Sequence, residues 1–176
     1  MKKMVLSILV GNTFGVLSRV SGLFSRRGYN IDSLTVGATE NTEFSRMTVV
    51  ASGDEQILDQ IKKQLAKLED VKEIKVLKAG ESVCRELVFV KVAVTPEERQ
   101  SVIAIAGIFR ASIVDVSTSS LMIELTGNEA KLAAFIKLLE GYKIKEIART
   151  GITGLSRGDA GIYGDAAEEL GEYSDD

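Results

Sequence analysis

The chain has 176 residues, 45% of them hydrophobic, which is enough for one ordinary domain or two small ones that fold without staples. Histidine and tryptophan are absent and Cys84 is the single cysteine, which excludes phospho-histidine chemistry, the commonest general base and metal ligand, an internal disulfide and any CxxC motif. The net charge of −3 is uneven: residues 154 to 176 hold seven acids against Arg157 alone, so the first 153 carry +3, too small an excess for a nucleic-acid surface.

The N-terminus, MKKMVLSILVGN, sets two lysines before an apolar run from Met4 to Val10. That run is shorter than most signal-peptide cores and far below the roughly 20 residues that span a bilayer, so it reads as a buried strand and the protein as soluble and cytoplasmic. A loop follows, Gly11-Asn12-Thr13-Phe14-Gly15, then a helical stripe of Val16, Leu17, Val20, Leu23 and Phe24, with Arg19, Arg26 and Arg27 on or near its outer face. Asn12 or Thr13 is the expected helix cap, and Gly28 the left-handed end. Residues 30 to 39 and 44 to 52 read as a hairpin, the second strand setting Met47, Val49 and Ala51 on one face. Asp54 caps a second helix carrying Ile57, Leu58, Ile61, Leu65 and Leu68, and Val71 to Leu77 is a fourth strand. The order is βαββαβ, a ferredoxin-like sandwich of the α+β class.

After a short linker at Lys78 to Ser82 the same order begins again. Leu87 to Val94 is a strand, and Thr95-Pro96-Glu97-Glu98 is a capping box that opens a helix running to about Arg110. Ser112 to Ser117 and Leu121 to Leu125 form a hairpin. Asn128 caps a helix with Leu132, Phe135, Ile136 and Leu139, and Ile144 to Arg149 is the last strand. IKKQLAKLEDVKEIKV at 61 to 76 even resembles FIKLLEGYKIKEIA at 135 to 148. The expected organisation is two tandem βαββαβ domains at 1–78 and 83–153, followed by an acidic, mobile tail at 154–176.

The loop from Gly11 to Gly15 joins a buried strand to a helix N-terminus, where backbone N–H groups and the helix dipole favour a carboxylate. Gly15 lets a ligand approach the backbone, the Asn12 amide both donates and accepts, and Val16, Leu17 or Ile31 could line an apolar pocket. Such a loop suits an amino acid; an ordinary turn with a capping asparagine has the same local pattern. It holds no nucleophile paired with a base.

NTFGVLSRVSGLFSRRGYNIDSLTV at 12 to 36 resembles the opening of acetolactate (acetohydroxyacid) synthase small subunits: a polar loop ending in Gly-(small)-Leu-Ser-Arg, then Gly-Leu-Phe, Arg-Gly-(aromatic)-Asn-Ile and Ser-Leu-Thr-Val. Ser45-Arg46-Met47-Thr48 and Gly154-Leu155-Ser156-Arg157-Gly158-Asp159 are similar to that family too, so the resemblance covers roughly 1 to 160. It implies an ACT domain, then a second ferredoxin-like domain, with dimerisation through the ACT domains into a continuous sheet. The effector implied is a branched-chain amino acid, usually valine, bound at the dimer interface, so that the chain regulates a catalytic subunit and confers feedback inhibition in valine, leucine and isoleucine biosynthesis. By matching position, Asn12, Gly15, Val16 and Leu17 come from one subunit, and Asn30 and Ile31 from its partner. Phe14 departs from the small polar residue often found before that glycine. The resemblance puts thiamine diphosphate, magnesium and FAD on the catalytic subunit and no cofactor, catalytic residue or metal on this chain.

Other functions fit the residues less well. An RNA-recognition βαββαβ domain stacks bases on aromatics of its central strands, whereas MVLSILV and SRMTVVAS hold none and the second half offers only Phe89. A hydrolase of the acylphosphatase type needs an arginine in the first loop, and Arg19 lies a full turn into the helix. Asp32, Asp54, Glu55 and Asp70 occupy positions where caps, turns and solvated faces expect charge. An ACT-type regulator of another amino-acid enzyme remains the alternative within the same class.

Overall fold

A computed structural model describes residues 2–163. They fall into two compact units, one of residues 2–83 together with 152–163, the other Cys84–Gly151.

In the first unit, β1 (Lys2–Gly11) leads to α1 (Val16–Arg27), the hairpin β2 (Ile31–Ala38) and β3 (Phe44–Gly53), α2 (Glu55–Leu65) and β4 (Val71–Val76). The antiparallel sheet has the order β2-β3-β1-β4, so β2 and β4 are its edges. Pairing of Ile8 with Met47 and Leu6 with Val49 aligns the alternate apolar residues of the two central strands on one face. There they join Val20, Leu23 and Phe24 of α1 and Leu58, Ile61 and Leu65 of α2 in one core. Leu17, expected in that stripe, stays exposed.

The second unit repeats the plan: β5 (Ser82–Ala93), α3 (Pro96–Ile108), β6 (Ser112–Val116), β7 (Ser120–Gly127), α4 (Glu129–Leu139) and β8 (Lys143–Arg149), with sheet order β6-β7-β5-β8. Its core joins Val88, Val90 and Val92 to Ile123, Leu125, Val102, Leu132 and Phe135. Thr95 and Glu98 make the capping box in both directions, at 3.2 and 2.9 Å. Both units are therefore α+β sandwiches of the βαββαβ type. Ser82, assigned to a linker by sequence, already begins β5.

The segment after β8 departs from a free tail. Thr153–Ser156 forms a short strand, β9, and Ile162 is buried. This return segment packs on the first unit through named polar contacts. Ser33 Oγ accepts from the Ile152 N–H at 3.0 Å, and Thr35 Oγ1 donates to the Ile152 carbonyl at 3.2 Å. Lys75 Nζ donates to the carbonyls of Ala160 and Gly161, and the rings of Phe44 and Tyr163 meet edge to face at 6.5 Å. The remainder of the acidic stretch, 164–176, lies outside the described residues. Among the described residues no helix is long and apolar enough to cross a membrane.

Candidate functional site

The loop between β1 and α1 is held at both ends. Its backbone is fixed by the Asn12 N–H donating to the Glu43 carbonyl at 2.7 Å and the Gly11 N–H to the Asp70 carbonyl at 2.9 Å. The Asn12 amide donates to the Thr42 carbonyl at 3.0 Å, and Thr13 Oγ1 lies 3.4 Å from an Asp70 oxygen. Neither side chain therefore caps α1, contrary to the sequence expectation. The cap is Gly15, in the left-handed conformation at φ 81°, and α1 begins with no side-chain cap and no acidic residue in its first turn. Gly28 ends the helix as expected, at φ 66° with its N–H turned back to the Phe24 and Ser25 carbonyls.

Behind the loop, Arg19 reaches across to Asp70 with Nε and Nη2, the latter at 2.9 Å, and Nη2 also donates to the Phe14 carbonyl at 3.2 Å. Hydrogen bonding from Arg19 holds the Asp70 carboxyl below the usual carboxylate range, and Asp70 in turn keeps Arg19 charged. Sequence reasoning left both as surface charges. The partners are 51 residues apart, and no local pattern marks the pair.

In front, the loop opens onto a cleft of about 560 Å³, a volume ordinary for a small-molecule site. Asn12, Phe14, Gly15, Val16 and Leu17 line it from the loop and helix, with Val36 and Met47 from the sheet. The floor is apolar, while the wall is a helix N-terminus whose partial positive charge meets no carboxylate of its own. A ligand with a carboxylate and a small apolar body matches both features.

Four of the six expected residues, Asn12, Gly15, Val16 and Leu17, thus meet at one cleft. Asn30 and Ile31 do not join them within one chain. Ile31 pairs with Ala51 and so with Met4, near the start of β1, whereas the loop follows Gly11 at its end, on the order of 20 Å away along the strand. Asn30 donates to Asp32 at 2.6 Å, and Ile31 packs at the margin of the core.

A βαββαβ sheet with this loop and cleft, followed by a second unit of the same type, defines a protein of the ACT-domain class. A family model described as "AHAS small subunit-like ACT domain" matches residues 6–73, and one described as "Small subunit of acetolactate synthase" matches residues 85–158. The chain is 51% identical over 157 residues to a probable acetolactate synthase small subunit of Archaeoglobus fulgidus, covering 89% of this chain and 98% of that one. It is also 51% identical over 157 residues to the acetolactate synthase small subunit of Mycolicibacterium smegmatis, covering 89% and 92%. The crystal structure of the small subunit from Thermotoga maritima superposes with a TM-score of 0.83 at 38% identity, over 91% of this chain and all of that one. The chain belongs to the acetolactate synthase small-subunit family.

Proposed function

We propose that the chain is the non-catalytic regulatory subunit of acetolactate synthase and that its first unit binds a branched-chain amino acid, most readily valine, between two copies. The observation that carries this reading is the cleft at the start of α1, where a helix N-terminus without a side-chain cap stands over an apolar floor. The effector's carboxylate is held by the first-turn N–H groups, its amino group by the unused oxygen of the Asn12 amide, and its side chain by Val16, Leu17 and Val36.

The second copy is supplied through β2, an edge strand of the first sheet among the described residues. If two β2 strands pair antiparallel about a two-fold axis, the Ile31 end of one lies beside the Ala38 end of the other. Ala38 pairs with Ser45, next to Phe44, which pairs with Gly11. Asn30 and Ile31 of each copy are thereby carried to the other's loop. Effector binding favours one arrangement of this dimer and so changes the activity of the catalytic subunit bound to it, giving activation without effector and feedback inhibition with it. A coupling of about 1–3 kcal/mol is enough for a 5- to 150-fold effect. Thiamine diphosphate, magnesium and FAD are assigned to the catalytic subunit, and the complex to the cytoplasm. A similar cleft would serve an ACT-type regulator of another amino-acid enzyme, which ranks second because of the family membership.

Calorimetric titration of the full chain with valine, leucine and isoleucine, alone and with the catalytic subunit, tests the reading. Asn12→Ala should weaken binding at least tenfold, and Gly15→Asp should abolish it. The latter places a carboxylate at the anion wall, and its Cβ would lie 3.0 Å from Arg19 Nη1 on a backbone at φ +81°. If the wild-type chain binds none of the three in either setting, the effector reading is wrong.

A further inference from the structure

Phe14 is fully exposed, with a relative accessibility of 103%, although it belongs to a loop braced from behind by Arg19 and Asp70. A large aromatic side chain with no packing partner among the described residues of its own chain contributes nothing to their core. Its backbone, however, is tightly specified: the Phe14 carbonyl accepts from Arg19 Nη2, and the next residue is the left-handed Gly15. The side chain lines the mouth of the 560 Å³ cleft. Leu17 and Val36, each 46% exposed, are the other apolar groups of that cleft left open to solvent.

We infer that Phe14 is the specificity-determining wall of the cleft: on assembly of two copies it closes the mouth and limits the effector's side chain to the smallest branched type. The inference rests on the effector reading above. The geometry favours this role because Phe14 lines the same cleft as Val36 of β2, the edge strand that admits the second copy. A pocket that excludes one methylene typically discriminates about 10- to 200-fold. The preference for valine over leucine is therefore written in Phe14 rather than in Val16 or Leu17, which stand on the wall nearest the helix.

The test is the ratio of dissociation constants for leucine and valine, measured calorimetrically on the full chain with its catalytic subunit for the wild type and Phe14→Ser. Because Phe14 is fully exposed within one chain among the described residues, the variant should keep the wild-type far-UV circular dichroism spectrum, which separates a pocket effect from misfolding. The wild type should prefer valine at least tenfold. In Phe14→Ser the ratio should fall toward one, chiefly through tighter leucine binding, and Phe14→Tyr should keep the wild-type order. An unchanged ratio in Phe14→Ser with valine binding intact overturns the Phe14 assignment and leaves the effector site standing. The same holds if the ratio is unchanged while the catalytic subunit binds more weakly, which would make Phe14 a contact to that subunit. A wild type that binds no branched-chain amino acid overturns both.

Discussion

Asp70 ties the start of β4 to the start of α1: its carboxylate accepts from two nitrogens of Arg19 and from Thr13, and its own carbonyl accepts from Gly11. The loop that forms one wall of the cleft is thus held by a residue that does not line it. Its protonation gives the clamp a definite pH dependence. Arg19 depresses the folded pKa of Asp70, so the stabilisation is fully present above the ordinary carboxylate value of about 3.9 and is lost as pH falls through the lowered folded value. Asp70→Asn removes it at every pH. The melting temperatures of wild type and variant should differ at neutral pH, by a few degrees at most because Arg19 is half-exposed, and should converge as the pH falls through the lowered folded value. A gap that persists in acid would mean that the pair acts by packing and not by charge. Effector affinity of the variant at neutral pH should drop about threefold or more, since loop order must then be supplied on binding.

Among the helices of the described residues, α1 stands apart. Asp54, Thr95 and Asn128 each cap their helix by accepting from the third residue on, at 2.8, 3.2 and 2.9 Å, as their positions in the sequence suggest. The same reasoning applied to Asn12 and Thr13 fails for a physical reason: the amide of one is engaged by the loop before β3, and the hydroxyl of the other points to Asp70. Helix ends show the complementary case. Gly28 is left-handed with nothing within 4 Å of where a Cβ would stand, whereas Arg110, at φ 55°, holds that conformation just after α3 without being glycine. Gly28→Ala should therefore cost about 1 kcal/mol and Arg110→Gly recover a similar or smaller amount, both read by denaturant unfolding. Equal and like-signed changes would show that the unfolded chain, not the helix end, sets the difference.

Periodicity made β1 to β8 and α1 to α4 legible because each sets its apolar residues at a strand or helix repeat and is stopped by a turn or cap. Contacts at long sequence separation were not legible. β9 is four residues without alternation, so nothing in TGLS announces a strand, and the acids after it suggested solvent instead. The cleft was half legible: the glycines and Asn12 marked the loop, while Arg19 and Asp70 joined it only in three dimensions.

At the scale of the whole molecule, the first unit is made of two stretches of chain separated by the 68 residues of Cys84–Gly151. The returning stretch is fixed to β2 through Ser33 and Thr35, the strand assigned above to dimerisation. Ending the chain at Gly151 should raise amide hydrogen exchange in β2, β3 and β4, which the returning segment touches, while leaving β5 from Glu86 onward, β7 and α4 close to wild type, as read by mass spectrometry. Unchanged exchange in β2 would show that the strand holds its order without the returning segment.

The same discontinuity bears on how the protein is made. The inserted unit is complete on the ribosome before the unit that contains it, because the last segment of the outer unit is translated afterwards. At roughly 5–20 residues per second, the stretch between residue 83 and residue 163 takes roughly 4–16 s to emerge. For that interval β2 is a folded edge without its clip, next to whatever nascent chain follows on the same message. In the dimer proposed above, timing of synthesis then acts on pairing alongside affinity.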